Sequence, residues 1–148
     1  MKSALFTAIA FASVIATAEP VYLNSGKVLP ANLPFSEAVI HGDILYLSGQ
    51  IPNVPGKLRL VEGGIESQSR QVMENIRTTL NAHGYDMEHL IKCTVMLDEI
   101  SDWAAFNEVY KTYFDKQFPA RSAFATDGLA VGALVEVECI AAIDGATQ

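Results

Sequence analysis

The chain has 148 residues, half of them hydrophobic and 18% charged, which is typical of one globular domain with a sizeable core and excludes a disordered chain. Its formal net charge is −7 and its pI is about 4.8. Because nucleic-acid affinity depends on Lys and Arg side chains that neutralise phosphates, this acidic balance argues against a nuclease or another nucleic-acid-binding protein.

The first residues have the pattern of a secretory signal peptide. Lys2 gives a short positive region, residues 4–14 are apolar, and residues 16–18 form a small-x-small cleavage motif. An uncleaved anchor or a buried N-terminal helix is the alternative interpretation. We therefore expect a signal peptide over residues 1–18 and a single mature domain over residues 19–148. The mature protein would be exported, periplasmic or secreted, with no membrane contact after cleavage.

The first half of this domain is predicted to contain a hairpin. Residues 21–33 form an extended lead-in with room for one edge strand. Two β-prone runs follow at 36–41 and 44–49, and Gly42-Asp43 between them suits a two-residue type II′ loop. Residues 51–60 contain two prolines and a glycine, which predicts a surface loop.

The clearest helical pattern starts after Gly63-Gly64. Apolar side chains then recur at helical spacing on one face, at Ile65, Val72, Ile76 and Leu80. Gly84 is a suitable terminator because glycine readily adopts the left-handed conformation at a helix end. Residues 90–97 have few polar members and predict the next strand.

A second helix is predicted with Ser101 as its N-cap. Its apolar stripe is aromatic and is interpreted as core: Trp103, Phe106, Tyr110, Tyr113 and Phe114. Residues 134–143 predict a final strand, which gives the order β-β-α-β-α-β. This order predicts an α+β fold in which both helices pack on one face of a sheet.

The final strand indicates a partner surface. Glu136 and Glu138 fall on one side of this strand, whereas Val135, Val137 and Cys139 fall on the other. The apolar face can pack against the helices of the same chain, and the acidic face is then expected to meet another subunit, which indicates self-association. Cys93 and Cys139 fit no metal spacing; they could form a disulfide after export or remain small buried hydrophobes.

The sequence contains no Ser-His-Asp order, phosphate-binding loop, dinucleotide fingerprint or metal-spaced His/Cys cluster. Its three histidines, His41, His83 and His89, are interpreted as surface polar residues. Arg121 is more informative because it lies in an apolar stretch, where a guanidinium needs an acidic partner or a ligand. Two interpretations remain: an ion pair with Glu136 or Glu138, or bidentate binding of a ligand carboxylate.

Four phrases, in this order and spacing, resemble the reactive-intermediate imine/enamine deaminase family of the RidA/YjgF type. They lie at residues 48–52, 60–66, 118–122 and 135–141, and the likeness covers nearly all of residues 31–143. The Pro-Ala-Arg-Ser block and the final strand with alternating glutamates are the most specific parts. The leader is an addition to the family's usual compact form.

The resemblance implies a chorismate-mutase-like subunit in a homotrimer, with a ligand cleft between subunits. It implies hydrolysis of 2-imino and enamino acids, such as 2-iminopropanoate and 2-iminobutanoate, to 2-keto acids and ammonia, without metal or cofactor. Arg121 would hold the substrate carboxylate and Glu136 would move protons. Gly49, beside Ser48, and Asn107 would contribute to the cleft.

Two positions depart from the family pattern. Phe35 replaces a common tyrosine, so the ring can line the cleft but has no hydroxyl to donate. Ala123 replaces a common cysteine, whose implied contribution is through the backbone. The alternatives to a deaminase are a non-catalytic module that binds small carboxylates in the same cleft, and a ribonuclease, which the acidic charge disfavours.

Overall fold

The computed structural model describes residues 19–143, so the predicted signal peptide and the last five residues of the predicted domain lie outside the described part. The regular elements in chain order are β1 (Val21–Leu23), β2 (Ala38–His41), β3 (Ile44–Leu47), α1 (Ile65–Ala82), β4 (Leu90–Leu97), α2 (Trp103–Tyr110), β5 (Ala120–Ala125) and β6 (Val135–Ala142). None of the helices in this part of the chain is long and apolar enough to cross a membrane.

The strands form one six-stranded mixed sheet in the order β1-β2-β3-β6-β4-β5. Only β4 and β5 run parallel; the other neighbours are antiparallel. The last strand in the chain therefore lies in the middle of the sheet, between β3 and β4. The α+β fold predicted from the sequence is confirmed, and its sheet is mixed.

Both helices cover the same face of the sheet and form the core with it. The predicted α1 stripe is buried at Val72, Ile76 and Leu80, with Ile65 partly buried at its margin. The strand side chains in the core alternate, as period two requires: Cys93, Val95 and Leu97 in β4, and Val135, Val137, Cys139 and Ala141 in β6. The opposite face carries Glu136 and Glu138, as expected.

Two glycines correctly predicted positions at which the backbone adopts a positive φ. Gly42 and Asp43 connect His41 to its partner Ile44, and Gly42 has a positive φ of 59°. Gly84 follows α1 with φ 86°, a conformation that glycine adopts without steric strain. The hairpin loop and the helix terminator are both confirmed.

The start of the second helix was predicted wrongly. Ser101 does not cap α2: it lies in a 3₁₀ turn, Ile100–Asp102, and α2 begins at Trp103 without a side-chain cap. Trp103 is also 46% exposed and is not part of the core. The stripe is nevertheless buried at Phe106 and Tyr110, where α2 meets the sheet and α1.

Strand β5 was not predicted from the sequence. This strand pairs in parallel with most of the outer edge of β4, from Lys92 beside Ala120 to Leu97 beside Ala125. Its sequence, Ala-Arg-Ser-Ala-Phe-Ala, has little of the β-branched character that identifies strands. The strand forms because β4 offers it an open edge.

The two cysteines form a disulfide, so the question left open by the sequence is settled for this structure. Cys93 of β4 and Cys139 of β6 lie directly opposite each other in the antiparallel ladder. Both side chains are buried on the helix-covered face, at 0% and 2% exposure. The bond therefore joins the two central strands from inside the core.

One histidine is not a surface residue. His83 Nε2 lies 3.2 Å from Glu37 Oε2, and their side chains are only 11% and 4% exposed. The Glu37 carboxylate also accepts hydrogen bonds from the backbone N–H and the hydroxyl of Ser25. This cluster attaches the segment after β1 to the end of α1. His41 is exposed, as expected, and His89 is half-buried beside Asp86.

Candidate active site

Arg121 is held on the helix-covered side of edge strand β5. Its Nη2 donates a hydrogen bond to Asn107 Oδ1 of α2 at 2.6 Å. Its guanidinium carbon lies 4.6 Å from the centre of the Tyr110 ring and 5.7 Å from that of Phe106. An amide acceptor and two aromatic rings therefore orient the cation without neutralising it.

The ion pair considered from the sequence does not form. Within residues 19–143, no carboxylate lies within 4.0 Å of the Arg121 guanidinium, and neither Glu136 nor Glu138 contacts it. A guanidinium has five N–H donors, and the side chain of Asn107 accepts only one hydrogen bond from it. The remaining donors leave Arg121 suited to a ligand carboxylate.

Glu136 lies against the backbone of Gly49. A methyl group built on Gly49 would be 2.1 Å from Glu136 Oε1 and 3.0 Å from Cδ, so only glycine leaves the carboxyl group in this position. Burial raises the pKa of the Glu136 carboxyl above its ordinary value, and the negative charge of Glu138 raises it further. A raised pKa makes the ionised carboxylate a stronger base and lets the carboxyl group keep its proton to higher pH, which suits a group that both accepts and donates a proton.

The segment around Gly49 is fixed on both sides. Ser48 donates its hydroxyl hydrogen to the carbonyl of Ser36 at 2.7 Å. Gln50 exchanges two backbone hydrogen bonds with Val137, next to Glu136. The N–H of Gly49 makes no hydrogen bond to the described residues, so it remains available to a ligand.

Arg121 and Glu136 point to opposite faces of the sheet. Arg121 pairs with Cys93 of β4, and Glu136 pairs with Met96 of the same strand. Cys93 and Met96 are three positions apart, and side chains an odd number of positions apart point to opposite faces. The contact between Arg121 and Tyr110 places the guanidinium on the helix side. A small ligand cannot touch both groups within one chain.

The other predicted residues divide between these two places. Asn107 and Ala123 accompany Arg121; Ala123 is two positions further along β5, on the same face, and packs against the core. Gly49 and the adjacent Ser48 accompany Glu136, whereas Phe35 makes no described contact with it. Phe35 is 49% exposed and precedes Ser36, whose carbonyl accepts the Ser48 hydrogen bond.

Sequence reasoning missed supporting residues at both places. Tyr110 was predicted as core, which is correct at 4% exposure, but its ring also supports Arg121. Asn75 of α1 fixes the loop after Gln50 by donating to the carbonyls of Ile51 and Asn53 at 2.9 and 3.1 Å. A polar residue on the buried side of the α1 pattern was the available signal for Asn75.

A surface cavity of about 310 Å³ opens beside Arg121. It is lined by Asn107, Tyr110, Lys111, Phe118, Pro119 and Arg121. Two larger cavities contain none of the predicted site residues: one of about 720 Å³ lies at the N-terminal half of α1, and one of about 430 Å³ lies between the end of α1 and residues 113–117. Over residues 19–143, no group of three or more His, Cys, Asp or Glu side chains is placed to hold a metal ion.

Known proteins resemble this chain in sequence and in fold. The family model for endoribonuclease L-PSP matches residues 26–143. A protein named 2-iminobutanoate/2-iminopropanoate deaminase from Capra hircus is 40% identical over 119 residues, which cover 80% of this chain and 87% of that protein. The crystal structure of YEO7_yeast has a TM-score of 0.80 at 34% identity and covers 85% of this chain and 100% of its own. The structure of E. coli TdcF with bound serine has a TM-score of 0.76 at 29% identity and covers 84% of this chain and 99% of its own. The chain therefore belongs to the endoribonuclease L-PSP family, which includes the RidA/YjgF-type proteins that its sequence resembles.

Proposed function

We propose that the protein hydrolyses reactive 2-imino and enamino acids to 2-keto acids and ammonia. The observation that carries this proposal is an oriented guanidinium without an acidic partner, Arg121, in a chain that also presents a carboxyl group of raised pKa, Glu136. A 2-imino acid has a carboxylate that Arg121 can bind and an electrophilic C=N bond at which Glu136 can transfer protons. The deaminase name of the goat relative and the bound serine in TdcF support a small substrate of the amino-acid type.

We further propose that the active site forms between subunits of a homotrimer. Arg121 and Glu136 project from opposite faces of one sheet, so one small substrate can reach both only if they come from different chains. In a closed cyclic trimer each interface would join the Arg121 side of one subunit to the Glu136 side of the next. The open sheet face with Glu136 and Glu138 would then be covered by a neighbour.

In this site Arg121 would bind the substrate carboxylate and thereby place the imine carbon near Glu136 and the Gly49 N–H. Fixing one end of the substrate in this way lowers the entropic cost of bringing the reacting groups together. Neither a covalent intermediate nor a metal is needed for the steps that follow.

Glu136 would act as a base and then as an acid. As water adds to the imine carbon, the carboxylate accepts one water proton, and the nitrogen becomes an amine by taking a proton from solvent. The protonated carboxyl group returns its proton to this amine, and the carbon–nitrogen bond breaks to release ammonia while the hydroxyl group returns a proton to solvent and forms the ketone. The net reaction is one imino acid plus one water giving one keto acid plus one ammonia.

The test is pyruvate release from 2-iminopropanoate, which an amino-acid oxidase generates in situ from alanine. Parent protein without residues 1–18 should accelerate release, and Arg121→Ala should lose most of the acceleration. Arg121→Lys keeps the charge but not the planar pair of donors, so it should retain only part. Equal rates for the parent and Arg121→Ala would refute the assignment of Arg121.

A carboxylate-binding module without turnover is the second candidate, and Phe35 favours it. Phe35 is exposed and directly precedes Ser36, whose carbonyl accepts the Ser48 hydrogen bond, but its ring has no hydroxyl to hold water or ligand. Calorimetric binding of pyruvate by a parent that does not accelerate imine hydrolysis would select this candidate.

Export of the mature domain is part of the proposal. A buried disulfide between Cys93 and Cys139 is characteristic of proteins that fold in an oxidising compartment, and it agrees with a cleavable leader. Mass spectrometry of the protein from separated cell fractions would test this: a mature N-terminus at Glu19 in an extracytoplasmic fraction is expected, and an intact leader in the cytoplasm would contradict it.

A further inference from the structure

The lining of the cavity beside Arg121 combines polar and aromatic side chains. Arg121 and Asn107 are polar members, and Phe118 is an aromatic member. Lys111 also borders the cavity, but its Nζ is 2.5 Å from Glu108 Oε2 and is already paired. Arg121 is therefore the cation available to an anion in this cavity.

Phe118 is exposed but has a fixed place. Its side chain is 61% exposed, although its ring packs against Phe114 at 5.8 Å and Tyr110 at 6.4 Å between centres. The ring of Tyr110 stacks on Phe118 on one side and supports the Arg121 guanidinium as well. A single buried ring thus sets the spacing between an anion-binding group and an apolar surface.

We propose that Phe118 selects substrates with large apolar or aromatic side chains. This inference rests on the proposed function and specifies its substrate class: 2-imino acids derived from amino acids such as phenylalanine or leucine, rather than from alanine. The carboxylate binds Arg121, and the substrate side chain covers the open face of Phe118. The methyl group of 2-iminopropanoate is too short to cover that ring.

The selectivity is measurable as a ratio of kcat/KM values. Contacts between aromatic rings correspond to roughly two- to tenfold in affinity beyond the area they bury. The parent should prefer 2-imino-3-phenylpropanoate to 2-iminopropanoate, and Phe118→Ala should lower this preference roughly tenfold. Phe118→Leu, which keeps an apolar surface without a ring, should lie between them. Leu58→Ala removes another exposed apolar side chain, in the loop before α1, and should leave the ratio unchanged.

An unchanged ratio in Phe118→Ala would overturn the inference. If that variant instead changes the oligomeric state, measured by light scattering, while the ratio stays the same, Phe118 is an interface residue and the inference fails. If the parent hydrolyses neither imine, the proposed function fails, and calorimetry with 3-phenylpropanoate and propanoate decides the role of Phe118 separately. Tighter binding of the phenyl compound, lost in Phe118→Ala, would support it; equal binding would overturn it.

Discussion

Gly49, just after β3, is in direct contact with Glu136 of β6, and the contact leaves no room for a side chain on Gly49. A methyl group there would lie 2.1 Å from the Glu136 carboxyl oxygen. The backbone of Gly49 does not itself require glycine, because its φ is not positive. The position is therefore restricted by the carboxyl group.

Gly49→Ala is expected to reduce imine hydrolysis strongly while the protein remains folded. The flexible Glu136 side chain can move away from the new methyl group, but the carboxyl group then leaves its place against the Gly49 backbone. Gly64→Ala is the matched control, because a methyl group at Gly64 meets nothing within 4 Å. Steady-state rates and thermal unfolding of both variants check this. Full activity in Gly49→Ala would show that the position of Glu136 is not critical.

Replacing Glu138 should change the pH dependence of activity. The negative charge of Glu138 contributes to raising the pKa of Glu136, so Glu138→Gln should lower that pKa. If Glu136 acts as a base, the acidic limb of the kcat/KM profile should move to lower pH. Glu66→Gln, at an exposed position of α1, is the control and should leave the limb in place. A limb that does not move in Glu138→Gln would exclude Glu136 as the group that titrates.

Glu136→Gln should remove activity and yet stabilise the fold at neutral pH. Because the pKa of Glu136 is raised in the folded state, its contribution to stability is favourable below the unfolded pKa and is lost as the pH rises through the folded pKa. At pH 7 the charged carboxylate is therefore unfavourable, and the neutral amide relieves this. Urea unfolding at pH 7 and pH 4 measures the effect: the gain in Glu136→Gln should be larger at pH 7. A gain that is larger at pH 4 would contradict the cause assigned to the shift.

Asn107→Asp should block carboxylate binding. The Asn107 oxygen accepts a hydrogen bond from Arg121 at 2.6 Å, so an aspartate in this position would form an ion pair and compete with the substrate. KM should rise by about tenfold or more, as expected for the loss of a charged hydrogen bond. Asn81→Asp adds the same charge at an exposed position of α1 and should leave KM unchanged. An unaltered KM in Asn107→Asp would remove Arg121 from the binding site.

The double variant Cys93→Ala/Cys139→Ala should be less stable by roughly 2–4 kcal/mol. The disulfide closes a loop of 46 residues, and its loss increases the conformational freedom of the unfolded chain. Guanidinium unfolding of the parent with and without reductant, beside the double variant, tests this. The reduced parent should resemble the variant. Equal midpoints for the oxidised parent and the variant would show that the bond contributes no stability.

Much of the fold could be predicted because the deciding signals are local. The β4 strand was predicted with its observed limits, since its residues are uniformly suited to a strand, and Gly42 and Gly84 marked a turn and a helix end correctly. β5 was missed because its stability comes from pairing with the distant β4. The Glu37–His83 pair was missed for the same reason, since the two residues are 46 positions apart.

The composition of the candidate site could be predicted, but its geometry could not. Arg121 and Glu136 were identified from their context and from the family resemblance. Their placement on opposite faces depends on the register of β5 and β6 against β4, and a shift of one residue would reverse it. The residues next to Arg121 and Glu136 in the sequence do not determine how β5 and β6 align with β4, so the register could not be predicted from them.

The central claim is that Arg121 of one subunit works with Glu136 of another, and mixed oligomers test it most directly. Arg121→Ala and Glu136→Gln would each be inactive alone, and their coexpression would produce mixed trimers. In every mixed ring one interface joins an intact Arg121 to an intact Glu136, so an equal mixture should recover roughly a quarter of the parent's activity. No recovery in mixtures that contain both chains, shown by mass spectrometry, would contradict a site shared between subunits.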